Sequence, residues 1–144
     1  MPRADFYILT GPASPARLAC TIANKAWQQG RRVHISTASR EEAVKMDDLL
    51  WTFHDISFLP HALADETGAE QACITIGWPD STLPDRDVLI NLTAQAPDLE
   101  GKFARIIEIV APEAKQQARE RYRQYRDRGF ELHNHDISAE TSNA

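Results

Sequence analysis

Residues 5–36 read DFYILTGPASPARLACTIANKAWQQGRRVHIS, and the fold class follows from this stretch. Phe6-Tyr7-Ile8-Leu9 is a run of aromatic and aliphatic residues stopped by Thr10-Gly11-Pro12, the pattern of a strand closed by a turn. Ser14 is placed to cap a helix, Pro15 suits its first position, and Gly30 suits the left-handed residue that ends it. Along that helix Leu18, Ile22 and Ala26 lie beside Ala19, Ala23 and Trp27, two four-spaced rows that make one apolar face. Arg32–Ser36 then returns to a strand. Parallel neighbours need a crossover, so strand, helix, strand in this order predicts a parallel or mixed sheet with helices on its faces.

Working outward, Ser39 and Glu42 have capping-box spacing and start a helix to about Leu50. Further strands are expected at 72–76, 88–91 and 105–110, the last with a helix from about Leu99 as the competing reading. Pro112 opens a final helix of good helix formers to about Arg128, closed by Gly129 with Phe130 beyond. The expectation is a single three-layer, Rossmann-like α/β domain over residues 1–130, with a mixed, mostly parallel sheet flanked by helices. Residues 131–144 turn polar, lose periodicity and are expected to be a flexible tail.

A length of 144 residues suits one domain, and 42% hydrophobic with 26% charged residues is ordinary for a soluble globular chain. No apolar run approaches the roughly 18 residues of a membrane span, and Arg3 and Asp5 lead straight into a strand without a signal-like segment. The cytoplasm is the expected location, with no membrane partner. Cys20 and Cys73 are far apart and outside any CxxC, which argues against zinc or disulfide chemistry. The net charge of −5 disfavours general nucleic-acid affinity, yet its distribution is uneven. Between Pro112 and Phe130 six cations face three carboxylates, a local +3 that leaves −8 on the remainder. A basic patch on an acidic chain points to recognition.

Catalytic chemistry finds little support. Thr10–Ser14 sits where a phosphate loop would, but the later glycines of GxGxxG and the Gly-Lys-Ser/Thr of a P-loop are absent. The five histidines form no HExxH and no serine occupies a GxSxG elbow. His133 and His135 alternate like metal ligands without a third and fourth partner, and Asp47-Asp48 and Asp85 with Asp87 read as solvated charge. No catalytic residue, metal or cofactor is expected.

The last helix is different. Lys115, Arg119, Tyr122 and Arg126 fall on one stripe, basic heads flanking an aromatic ring. Ala114, Ala118, Arg121 and Tyr125 make a neighbouring stripe whose alanines allow close approach to a sheet. Guanidinium forks clasp carboxylates while a tyrosine supplies an apolar wall, so the first stripe suits an acidic, partly apolar peptide. The same helix laid along single-stranded DNA, arginines on phosphates and tyrosines on bases, is the alternative. A second cluster, Leu50-Trp51-Thr52-Phe53 with Phe58-Leu59-Pro60-His61, puts aromatic residues in an irregular stretch and fits a lasting protein interface.

Ala118–Arg126 with Gly129-Phe130 closely resembles the chi subunit of bacterial DNA polymerase III, the HolC family. The likeness extends through Asp5–Leu9, Ala26–Val33, Leu49-Leu50-Trp51, Phe58–His61, Ile76-Gly77-Trp78-Pro79 and Asp87–Leu92. It implies an accessory subunit of the clamp-loader complex, without a polymerase active site, that binds the psi subunit and links the replicase to single-stranded DNA-binding protein (SSB). By this resemblance Lys115, Arg119 and Tyr122, with Arg126 on the same stripe, receive the acidic C-terminal tail of SSB, and Arg119 meets its terminal carboxylate. Trp51, Phe58 and Pro60 would face psi or a helicase competing for the same site. Contact with single-stranded DNA would run mainly through SSB. Pro112-Glu113-Ala114 looks shorter than in some relatives, which bears on the pocket near Lys115.

Overall fold

The computed structural model describes residues 2–10, 14–52, 60–79, 81, 86–94 and 103–138. Among the described residues seven strands form one sheet: β1 (Arg3–Thr10), β2 (Val33–Ser36), β3 (His61–Leu63), β4 (Ile74–Gly77), β5 (Val88–Asn91), β6 (Arg105–Val110) and β7 (Glu131–Ser138). Their order is β3-β4-β2-β5-β6-β1-β7, and every pairing is parallel. Helices α1 (Pro15–Gln28) and α2 (Arg40–Thr52) cover one face, and α3 (Lys115–Asp127) packs on the other. The chain is thus the expected three-layer Rossmann-like domain, with a sheet that is wholly parallel where a mixed, mostly parallel one was expected.

Local chemistry explains the element ends. Ser14 Oγ accepts from Arg17 N at 3.3 Å at the start of α1, and Ser39 Oγ accepts from Glu42 N at 3.2 Å at the start of α2. Gly30 (φ 77°) and Gly129 (φ 83°) take the left-handed conformation that closes α1 and α3. Residues 105–110 form a strand, not part of a helix from Leu99: Ile107 and Ile109 point to the α1 side while Ile106 and Val110 point to the α3 side. Apolar residues on both faces mark a buried parallel strand.

Two elements differ from the sequence reading. Pro112–Ala114 is a tight 3-10 turn, so α3 begins only at Lys115. Residues 131–138 are not a flexible tail but strand β7, paired in register with all of β1 from Arg3↔Glu131 to Thr10↔Ser138. Parallel pairing to β1 satisfies the backbone of a segment whose side chains are largely polar because it is the sheet's edge. Residues 139–144 lie outside the described residues.

Candidate functional site

The α3 stripes sort as the alanine spacing requires. Ala118, Arg121 and Tyr125 are buried against the sheet. Beneath them lies a buried polar cluster centred on Glu108 of β6, which is fully buried. Arg121 Nε donates to Glu108 Oε1 at 3.0 Å, Tyr125 OH donates to Oε2 at 2.5 Å, and Asn91 Nδ2 reaches both oxygens at 3.0 and 3.1 Å. Burial pushes the Glu108 carboxyl above the ordinary range, opposed by the Arg121 charge and these hydrogen bonds. Arg121 therefore spends its charge inside the molecule, and the surface basicity of α3 is smaller than its composition implies.

Fixing Arg121 and Tyr125 inward turns the next stripe toward a cavity of about 330 Å³ between α3, β1 and β7. Lys115, Ala118, Arg119 and Tyr122 line it from the helix, Phe6 and Ile8 from β1, Val110 from β6, and Asn134 and Asp136 from β7. Phe6 packs its ring 5.4 Å from Tyr122 and 5.8 Å from Tyr125, making the floor aromatic. Lys115 and Arg119 are exposed and have no ion pair among the described residues. The cavity combines an apolar base with two uncommitted cations, at the first turns of a helix whose N-terminus also favours negative charge.

Three of the four stripe residues thus converge. Arg126 does not: it is exposed, lies 3.6 Å from Asp127, and is outside the cavity lining. Asn134 and Asp136 were missed because the strand carrying them was read as tail, and Phe6 and Ile8 because they read only as core strand. Asn134 and Asp136 stand two apart on one face of β7, but Leu132 and Ile137 fall on opposite faces, so no apolar alternation marks the strand.

The aromatic cluster is split. Trp51, in the last turn of α2, is 56% exposed with its ring 4.7 Å from that of His61. Pro60 is exposed immediately before β3 and accepts a backbone bond from Ile74. Phe58 lies outside the described residues. Trp51 and Pro60 sit at the β3 edge of the sheet, whereas the α3 cavity sits at the β7 edge. Six interstrand steps of about 4.8 Å separate the two edges, roughly 29 Å.

Other candidate groups are accounted for locally. His135 Nε2 is 2.9 Å from Asp5, and His133 Nε2 is 2.9 Å from Glu131. Among the described residues no group of three or more His, Cys, Asp or Glu side chains is arranged to hold a metal ion, and no helix is long and apolar enough to cross a membrane.

Comparison with known proteins decides the lineage. Residues 1–133 match the family model described as DNA polymerase III chi subunit, HolC. The chain belongs to the DNA polymerase III chi subunit family. It is 38% identical to the chi subunit of Pseudomonas aeruginosa, over 95% of this chain and 98% of that one. The chi subunits of Haemophilus influenzae and Escherichia coli are 37% and 36% identical, over 93% and 92% of this chain and 96% of each relative. Among solved structures, a chain from the complex of the E. coli DEAD-box protein SrmB with regulator of ribonuclease activity A superposes with a TM-score of 0.61 at 10% identity, covering 98% of this chain and 94% of that one. The second domain of the DEAD-box helicase Mss116p gives 0.57 at 9% identity, covering 96% of this chain and 66% of that one. Such likeness establishes the chi fold as one shared with helicase-type α/β domains and nothing about activity.

Proposed function

We propose that the chain is a non-catalytic accessory subunit of the DNA polymerase III holoenzyme, acting in the cytoplasm, that binds the acidic C-terminal tail of SSB in the α3 cavity and the psi subunit at the Trp51 edge. The observation that carries this reading is the convergence of Lys115, Arg119 and Tyr122 on one cavity with uncommitted cations and an aromatic floor. In it a terminal carboxylate meets Arg119 while an aromatic or proline side chain of the tail covers Phe6 and Tyr122. Arg126, outside the cavity, serves at most as long-range attraction for an acidic peptide, screened beyond about 8 Å at physiological salt.

The distance between the sheet edges supports simultaneous binding of two partners, since neither has to cross the other. Trp51, Phe58 and Pro60 form the second contact, which psi or a competing helicase occupies. Direct stacking of DNA along α3 is disfavoured, because Tyr125 and Arg121 are committed to Glu108 and only Tyr122 remains half-exposed.

Removing the Arg119 guanidinium deletes a charge-assisted bond worth about 2 kcal/mol, so Arg119→Ala should weaken an SSB-tail peptide roughly thirtyfold in a calorimetric titration. Its circular dichroism spectrum should stay unchanged, because Arg119 is exposed. Undiminished affinity would remove Arg119 from the site. Trp51→Ala should leave peptide affinity intact while psi is lost on co-purification; psi retained at wild-type level would refute the second contact.

A further inference from the structure

A second, larger cavity lies on the other face of the same strands. Residues of odd number on β1, among them Arg3 and Tyr7, face away from the α3 cavity, as do Arg105 and Ile107 of β6 and Ile137 of β7. Helix α1 packs chiefly on β2, β5 and β6, so the β1–β7 margin beside it is left as a groove of about 580 Å³. Its floor is apolar, and four cations line it: Arg3 and Arg105 from the strands, Lys25 near the end of α1, and Arg31 just beyond. Because α1 runs antiparallel to the strands, these cations gather at the strands' N-terminal edge, opposite the edge where α3 begins.

Asp5, beneath the heads of Arg3 and Arg105, is fully buried and already engaged. Arg3 binds it through Nε and Nη2, each at 2.9 Å, Arg105 through Nε at 2.8 Å, and His135 through Nε2 at 2.9 Å. A guanidinium has five N–H groups, so Arg3 keeps three beyond its bonds to Asp5, and Arg105, which also bonds the Tyr7 side chain, keeps part of its fork, on heads that Asp5 holds in place. Lys25 and Arg31 are exposed, and their side chains have no ion pair or hydrogen bond among the described residues. Tyr7 is half-buried, stacks one ring face on His135 at 4.5 Å and 19°, and lines the groove. Glu131 is occupied with His133 at the margin. On a chain of net charge −5, four cations against Asp5 and Glu131 leave a local excess of two positive charges around an aromatic ring.

We propose that this groove binds single-stranded DNA, with a base against Tyr7 and the flanking phosphates on Lys25, Arg31 and the free N–H groups of Arg3 and Arg105. Cations on a helix wall and a strand wall around a stackable ring are the elements of sequence-tolerant single-strand binding. A lone carboxylate would use only part of the set. The proposal rests on the groove's cations and ring and is independent of the α3 cavity.

The test is fluorescence anisotropy of the full chain with a labelled oligothymidine of about 12 nucleotides, without SSB. Saturable binding is expected. It should weaken at least about tenfold in the double variant Lys25→Glu, Arg31→Glu, with the slope of log affinity against log salt shallower by about 1.4 for two lost phosphate contacts. Both residues are exposed and unpaired, so the variant keeps its fold; Tyr7→Leu should weaken binding too, and Arg119→Ala should leave it unchanged. Absence of saturable binding, indifference to the Lys25 and Arg31 reversals, or loss of binding in Arg119→Ala would overturn the proposal. Displacement by thymidine monophosphate at concentrations no higher than the oligonucleotide's would make the free nucleotide, not the strand, the ligand and overturn the strand assignment.

Discussion

His34 lies on β2 with its ring 1% exposed and Nδ1 2.7 Å from Thr75 Oγ1, on the sheet face opposite α1. Burial, with the Arg86 charge adding to it, pushes its pKa down to about 4. The ring is therefore neutral in the folded chain near pH 5, where the unfolded chain binds a proton. Stability is complete above the unfolded value near 6.5 and is lost as pH falls from there toward 4, by about 3 kcal/mol for the whole shift. Urea unfolding between pH 7 and 4.5 should show this decline, and His34→Gln should flatten it; an equally steep decline in the variant would assign it to other groups. The same ring explains Gly77, where an added Cβ would lie 2.7 Å from His34 and 2.6 Å from Ser81 Oγ. The sequence displays that glycine only as part of a resembling motif. Its reason is a contact between His34 and Gly77 on neighbouring strands far apart in sequence, which no local pattern carries.

Among the elements, α3 was the most legible, because its two jobs fall on two stripes at helical spacing. Ala118 and Tyr125 announce the packed stripe, and Lys115, Arg119 and Tyr122 the open one. Spacing puts Arg121 on the packed stripe but does not reveal that its charge is buried and paired, since its acceptor Glu108 is on another element inside an apolar run. Arg121→Ala leaves Glu108 buried without its cation and should destabilise the fold by about 3–5 kcal/mol in denaturant unfolding. Arg121→Met combined with Glu108→Gln should recover part of that loss. A cost for Arg121→Ala below about 1 kcal/mol would mean that the cluster does not anchor α3. Strand β7 was the least legible element. Leu132 packs on the α3 side and Ile137 on the α1 side, so two apolar residues on opposite faces leave no period-2 signal, and its pairing with β1 spans the length of the chain.

For the molecule as a whole, strand order turns local chemistry into a geometry of sites. The β-α-β opening announces parallel architecture, but placing β1 beside the last strand and β3 at the far edge is a long-range outcome. That order builds the α3 cavity from residues near both ends of the sequence, Phe6 and Asp136 among them, and sends Trp51 and Pro60 to the opposite edge. It also exposes the α1 side of β1, where Asp5 gathers Arg3, Arg105 and His135. Asp136 gives the α3 cavity a polarity, with Lys115 and Arg119 at the helix wall and a carboxylate on the strand wall, so the acidic tail proposed for it would enter with its carboxylates toward the helix. The most direct measurement is a nuclear magnetic resonance titration of the isotope-labelled chain with an SSB C-terminal peptide, reading backbone amide shifts. Tail binding in the α3 cavity predicts that the largest shifts cluster at Phe6, Ile8, Arg119, Tyr122 and Asp136, with β3 and the Trp51 edge unmoved. Shifts centred on Trp51 and His61, or in the α1 groove, with α3 silent, would contradict it.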